Sequence, residues 1–437
     1  MHKKLLAWAV ATAFAAPLAA YAQGSNVVIY GTFNVDLENV ERDHATVGGA
    51  GNSLVGAPAA GNVADLVSRN RVSSNSSNIG FRGTEDLGIA GLKAIFQLES
   101  GLNIDSGGGN LGGRNSNVGL TGPWGTVFYG LWDTPYKFST LRQDAWYATG
   151  IANGDTIYGT PGFGVATTTQ SGRVGAPAVT VTVPTVPATT ITTAAAVSGA
   201  PDASFDRRQG NSVQYWTPAF AGLSARLAYS ANEQRSADNA NPNINPTIAS
   251  GAVLYENGPI YATLTYEHHK DYFGLFGLTN NALQNPSATN QGSNDRGYKA
   301  GVGYTFFGTT TFNVIAERLE YEVGQTAAGA VTDYNREALY AALLHKIGPG
   351  TIRVSWGKGF GGDCKANGVV CSTAGLAGQA AAVGYSHSFS KRTDVYVLYT
   401  YIDNERLAQY NFGINALAGA GVGSDPSGFA LGVRHAF

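Results

Sequence analysis

Phe429-Ala-Leu-Gly-Val-Arg-His-Ala-Phe437 is the stretch that decides the fold. Apolar or aromatic side chains stand at 429, 431, 433 and 437, while Ala430, Gly432, Arg434 and Ala436 fill the other face. A period of two describes a strand with one apolar side and one wet side. Termini of soluble domains usually fray. A terminal strand of this kind fits a barrel with lipid outside and water inside. The competing reading, the edge strand of a secreted β-sandwich, requires that strand to be dispensable.

The opposite end agrees. His2, Lys3 and Lys4 precede an apolar run from Leu5 to about Pro17, and Ala20-Tyr21-Ala22 forms a small-x-small cleavage site before Gln23. Residues 1–22 read as a signal peptide, leaving 23–437 as a single β-barrel domain. No later segment has the roughly 18 unbroken apolar residues of a helical span. A membrane crossing must then use a closed barrel, because only helices and barrels satisfy every backbone polar group in lipid.

Composition points the same way. The chain carries 58 Gly, 22 Tyr and 19 Phe but one Met and two Cys, which is rich in strand and turn formers. Only 13% of residues are charged, against about 25% in ordinary soluble proteins. The formal charge is −2, and loss of Lys3 and Lys4 with the leader makes it more negative. A broad basic surface for nucleic acid is excluded.

From Val27–Glu41 to Gly428–Phe437, sixteen alternating segments can be read, with short turns on one side and long loops on the other. That even-numbered, two-sided pattern is the outer-membrane one: an all-β, 16-stranded antiparallel transmembrane barrel. Residues 42 to about 74 read as a Gly/Ala/Asn-rich loop. The connection 133–206 is far longer than any other, and its part 165–203 is a nearly uncharged, Thr/Ala/Val/Pro-rich insertion. A long structureless loop in a compact fold is usually functional or disordered. Cys364 and Cys371 lie in one Gly-rich loop. In an oxidising compartment a disulfide is expected over two free thiols, and a metal site would need further ligands that are not nearby.

Several stretches resemble the trimeric general porins of Gram-negative outer membranes, in their β-proteobacterial branch. The most specific is Ser77-Asn-Ile-Gly-Phe-Arg-Gly-Thr-Glu-Asp-Leu-Gly-Ile-Ala-Gly-Leu-Lys-Ala-Ile-Phe-Gln-Leu-Glu-Ser-Gly101. Ile29-Tyr30-Gly31, Val118–Val127, Asn211–Pro218, Arg392–Asn404 and the terminal Phe437 support it. The resemblance implies a homotrimer, with the third loop of each subunit folded into its channel. It also implies that Phe437 acts as a signal to the outer-membrane assembly machinery. Outer-membrane lipid and lipopolysaccharide are the expected surroundings. Such porins carry Gly-Arg-Gln after the fifth strand, where this chain has Gly130-Leu131-Trp132. A basic pore residue is thereby replaced by two apolar ones.

Strand alternation assigns faces without the resemblance. Leu92, Ala94, Phe96 and Leu98 go to lipid, so Lys93 and Glu99 go to the lumen. The same parity turns Arg82, Arg226, Lys299, Arg353 and Arg434 inward, since a charge facing lipid at mid-membrane costs about 2–4 kcal/mol. Six basic side chains on one interior wall would form a ladder for anions. Alternatively, some of them only pair with inward Glu99, Glu267 or Glu317. The resemblance puts the constriction at a loop holding Asp133, Tyr136, Lys137, Arg142, Asp144, Trp146 and Asp155. Its carboxylates would oppose the basic wall across the channel.

Enzyme signatures are absent: no Gly-x-Ser-x-Gly elbow, no His-Glu-x-x-His and no Walker loop. No cofactor is expected. The expected function is a passive diffusion pore for small hydrophilic solutes and ions. The alternative is a channel selective for a small anionic or zwitterionic solute, favoured by Trp132, Trp146 and Tyr147 near the constriction.

Overall fold

The structure is a computed structural model that describes residues 26–46, 65–162, 179–183, 189–193, 203–231, 245–272, 274–275, 292–324, 328–417 and 422–437. The expected signal peptide, 1–22, and most of the 165–203 insertion lie outside these residues. Within the insertion, Val179–Val183 and Thr189–Thr193 pair as a separate antiparallel hairpin.

Alternation yields the wall. Its strands are β1 Asn26–Asp43, β2 (Leu66–Ser74 continued by Asn78–Ile89), β3 Leu92–Leu102, β4 Ser116–Gly122, β5 Gly125–Asp133, β6 Arg208–Trp216, β7 Leu223–Ala231 and β8 Thr247–Asn257. They continue as β9 Ile260–Lys270, β10 Ser293–Phe306, β11 Thr310–Val323, β12 Val331–Ile347, β13 Gly350–Gly359, β14 Gly378–Ser388, β15 Thr393–Asn404 and β16 Asp425–Ala436. Neighbours in sequence are antiparallel neighbours in space. The barrel closes where β1 pairs with β16 from Thr32↔Ala436 to Asp43↔Asp425. Phe437 completes the seam by exchanging backbone hydrogen bonds with Gly31, at 3.1 and 3.2 Å. Closure pairs both edges of the sixteen-stranded wall, which is what lipid demands.

The segment expected as a loop up to Ser74 is corrected. Leu66–Ser74 is the upper part of β2 and pairs with β1 from Val35↔Ser74 to Arg42↔Leu66. The strand breaks only at 75–77, where Ser76 has a φ of 56° and Ser77 Oγ accepts from Asn34 N at 3.0 Å. Ser68-Arg69-Asn70-Arg71 is polar on both faces. A strand that runs beyond the bilayer loses the apolar/polar alternation by which it would be recognised.

Burial is inverted relative to a soluble protein. Val302, Tyr304, Phe306, Phe429, Leu431 and Val433 are exposed on the outer face, while Asn34, Glu38, Gln214, Glu267, Lys299 and Arg336 are buried inside. Paired outer rings such as Tyr266–Tyr298 at 5.2 Å and Tyr304–Phe306 at 4.6 Å have the amphipathic character of an interface girdle.

Candidate functional site: the channel interior and its third loop

The third loop, between β5 and β6, folds into the barrel. Its first turn, α1 Pro135–Phe138, begins with Pro135 at the helix start and Thr134 as N-cap, whose hydroxyl accepts from Lys137 N. Short 3₁₀ turns follow at Leu141–Gln143, Gly150–Ala152 and Gly154–Thr156. Tyr136, Trp146, Ile151 and Ile157 are almost wholly buried, so the loop packs on the wall instead of hanging in solvent.

Hydrogen bonds between wall and loop seat it. Tyr136 OH donates to Glu317 Oε1 at 2.7 Å, and Gly159 N donates to Glu317 Oε2 at 2.8 Å. Tyr261 OH donates to Ser139 O at 2.6 Å, Asn34 Nδ2 to Ala148 O at 2.7 Å, and Arg336 Nη1 to Ile157 O at 2.9 Å. Wall glycines make the close approach sterically feasible: a Cβ on Gly384 would lie 2.7 Å from the Trp146 ring, and one on Gly301 would collide with Gln143.

The acidic loop residues do not oppose a basic wall, and that expectation is corrected. Asp133 is buried and held by Arg208 at 3.3 Å and Lys137 at 3.8 Å. Asp144 accepts from Trp146 N, Gly154 N, Tyr340 OH and Tyr158 OH at 2.8–3.1 Å. Burial still pushes its carboxyl above the ordinary range, against those four donors. Asp155 is raised well above it, by burial first and then by the charge of Asp206. Burial works against the Lys137 ammonium, but Asp206 at 3.2 Å and Asp133 outweigh it and hold its pKa above the lysine value. These groups lock the loop to itself and to the wall. Among its described residues the exposed side chains are Tyr147 and Arg142; Arg142 pairs with Glu256 at 2.9 Å and stacks on Tyr261 at 4.0 Å.

All six expected basic residues take the inner face, but on β2, β3, β7, β10, β13 and β16, so they ring the barrel and do not share one wall. Lys299 is covered by the loop, with its ammonium 4.2 Å from the Tyr136 ring centre and 5.4 Å from that of Tyr158. Glu267 and Glu317 are likewise inward but buried, with Glu267 bonded to His269 Nε2 at 2.7 Å. These three therefore leave the water-filled path. Glu99 pairs with Arg114 at 2.6 Å and Arg434 with Asp394 at 3.6 Å. Among the described residues Arg82, Arg226 and Arg353 form no ion pair: Arg82 lies over Tyr30, Arg226 over Phe138 and Trp216, and Arg353 donates to Ala145 O at 3.0 Å.

Two open spaces inside the barrel are bordered by inward charged side chains of the described residues. One, of about 280 Å³, is bordered by Arg114, Arg353, Arg434, Tyr147 and Asn34. The other, of about 440 Å³, is bordered by Arg82, Val28, Phe128, Trp132 and Trp216. The departure at Gly130-Leu131-Trp132 is therefore narrower than expected: Trp132 borders the channel, whereas Leu131 alternates to the outer side with Tyr129. Arg114 was not foreseen because it stands in a loop, where parity gives no face. Trp216 was legible, since Val213 and Tyr215 alternate outward from it. Cys364 and Cys371 are joined, with Cα atoms 5.8 Å apart.

Similarity to known proteins follows this geometry. Residues 7–407 match the family model described as Gram-negative porin. Outer membrane porin protein 32 of Delftia acidovorans is 26% identical over 443 residues, covering 100% of both chains. The solved anion-selective porin from Comamonas acidovorans superposes with a TM-score of 0.65 at 22% identity, over 95% of this chain and 100% of that one. The trimer form of OmpT from Vibrio cholerae superposes with a TM-score of 0.57 at 14% identity, over 95% and 100%. A closed sixteen-stranded wall, an inward-folded third loop and a family match over most of the sequence together make this chain a member of the Gram-negative porin family, a multi-pass outer-membrane protein enclosing a water-filled channel for passive diffusion of small hydrophilic solutes.

Proposed function

We propose that the channel prefers anions, and that Arg82, Arg226 and Arg353 set this preference. One observation carries the reading: these three guanidinium groups face inward without an ion-pair partner among the described residues, while the loop carboxylates Asp133 and Asp144 are buried. A fixed positive charge in a narrow aqueous space raises the local anion concentration. The Comamonas acidovorans protein of the same fold, itself anion-selective, supports the proposal. Lys93, exposed on β3, adds positive charge near the path.

The functional unit is a homotrimer in this reading, supported by the trimeric OmpT fold. One barrel domain follows the leader, lipid and lipopolysaccharide surround it, and Phe437 addresses the assembly machinery. The barrel acts as a conduit and catalyses nothing. A planar-bilayer recording across a salt gradient tests the proposal. The expected reversal potential has the sign of anion flow, in steps of three; a cation-type potential overturns it.

A further inference from the structure

The larger inner space departs from the wet lining of a simple diffusion pore. Phe128, Trp132 and Trp216 form a mutual edge-to-face cluster at 5.1, 5.2 and 5.9 Å between ring centres. Phe138 of the third loop joins it at 5.6 Å from Trp216. Val28 faces inward, because it pairs directly with Arg82, yet it is 45% exposed. Phe128 and Trp132 are themselves largely buried, so the apolar surface held open to water is that of Val28, and such exposure is unfavourable in proportion to its area.

The polar groups supply the second half of the argument. Among the described residues Arg82 is the charged residue bordering this space, and no carboxylate borders it. The Arg82 guanidinium lies over Tyr30 at 4.9 Å, which leaves its edge free to donate. Arg226 adds positive charge at the rim, 4.1 Å from the Trp216 ring centre. Gln97 and the Thr121–Thr126 hydroxyl pair, 2.8 Å apart, line the same space. At about 440 Å³ it has the size, apolar lining and few polar groups of a small-molecule site.

We propose that this space is a binding site for aromatic carboxylates, which makes the channel saturable for that class of solute. The ring lies against Trp132, Trp216 and Val28, and the carboxylate accepts the two parallel N–H donors of Arg82. This rests on the channel reading above and names its substrate class.

The test uses the full protein as a folded oligomer in detergent, with benzoate as the probe and acetate as its ring-less control. Equilibrium dialysis of radiolabelled benzoate should saturate, with acetate competing about tenfold more weakly, the size of one or two aromatic contacts. Trp132→Leu and Trp216→Leu should bring that ratio toward one, and Trp216→Phe should restore most of it. Arg82→Gln should weaken both anions together. Benzoate binding no tighter than acetate overturns the proposal, as does an unchanged ratio in both leucine variants that still assemble. If neither assembles, Val28→Asn at the exposed position carries the same test. Bilayer recordings separate the two readings. Conduction without saturable benzoate binding removes the site and keeps the channel, whereas saturable binding without conduction keeps the site and removes the channel.

Discussion

The guanidinium carbon of Arg226 on β7 lies 3.9 Å from the ring centre of Phe138 on the third loop. Trp216 of β6 stands 4.1 Å from the same guanidinium, so one wall cation is shared between the wall and the loop that narrows the channel. A cation over an aromatic face contributes about 0.5–2 kcal/mol, with the larger value where water is excluded.

Phe138→Ala should therefore loosen the loop's first turn. The expected outcome is a higher single-channel conductance with greater open-channel noise. A conductance equal to the parent's in bilayers would mean that Phe138 does not hold the constriction.

Neutralising Arg82, Arg226 and Arg353 together to Gln should move the reversal potential toward cations. Charges a few ångströms apart interact by about 1–4 kcal/mol between bulk-water and surface-like dielectric. Single changes should matter less, and 1 M salt should blunt the shift because the Debye length falls to about 3 Å. The same potential in the triple variant at low salt would remove these side chains from the permeation path.

Acid should strengthen the loop's seat through Asp155. Burial and Asp206 raise its carboxyl well above the ordinary range, whereas an unfolded aspartate titrates near 3.9, roughly. The folded state thus holds the proton more tightly. The stabilisation is full below the unfolded value and is lost as pH rises through the folded one. Melting temperature of the detergent oligomer should fall with rising pH above about 4, and Asp155→Asn should flatten that slope. A slope identical in parent and variant counts against the assignment.

The Cys364–Cys371 bridge should be present in protein taken from membranes. Their loop spans a sequence separation of 7, and cross-linking so short a loop contributes about 2 kcal/mol in the chain-entropy model. Mass spectrometry of unreduced peptides decides it; recovery of both as free thiols contradicts it.

Deleting Phe437 should lower the yield of heat-modifiable oligomer in membranes. Its backbone closes the β1–β16 seam against Gly31, and its ring packs 5.1 Å from that of Phe33. Oligomer yield equal to the parent's would show that neither the seam contact nor the proposed assembly signal depends on this residue.

The sequence by itself determined the wall. Period-two alternation is a local property of the backbone, so Phe429–Val433 declared its lipid face without reference to any partner. The cost of a charge in lipid then forced Arg82, Arg226 and Arg353 inward. It could not give the height of a strand outside the bilayer, where both faces are wet, and Leu66–Ser74 was missed for that reason. Only the tertiary structure decided what inward meant. Lys299 and Arg353 have the same parity, yet the third loop covers Lys299 with Tyr136 and Tyr158. Asp144 is turned away from the channel by donors from Tyr340 and from its own loop. A loop has no periodicity to orient its side chains, and contacts such as Tyr340 to Asp144 join residues 196 apart in sequence. Which carboxylates are silenced and which cations stay free is set by that long-range packing, and it becomes visible only when the barrel has closed around the loop.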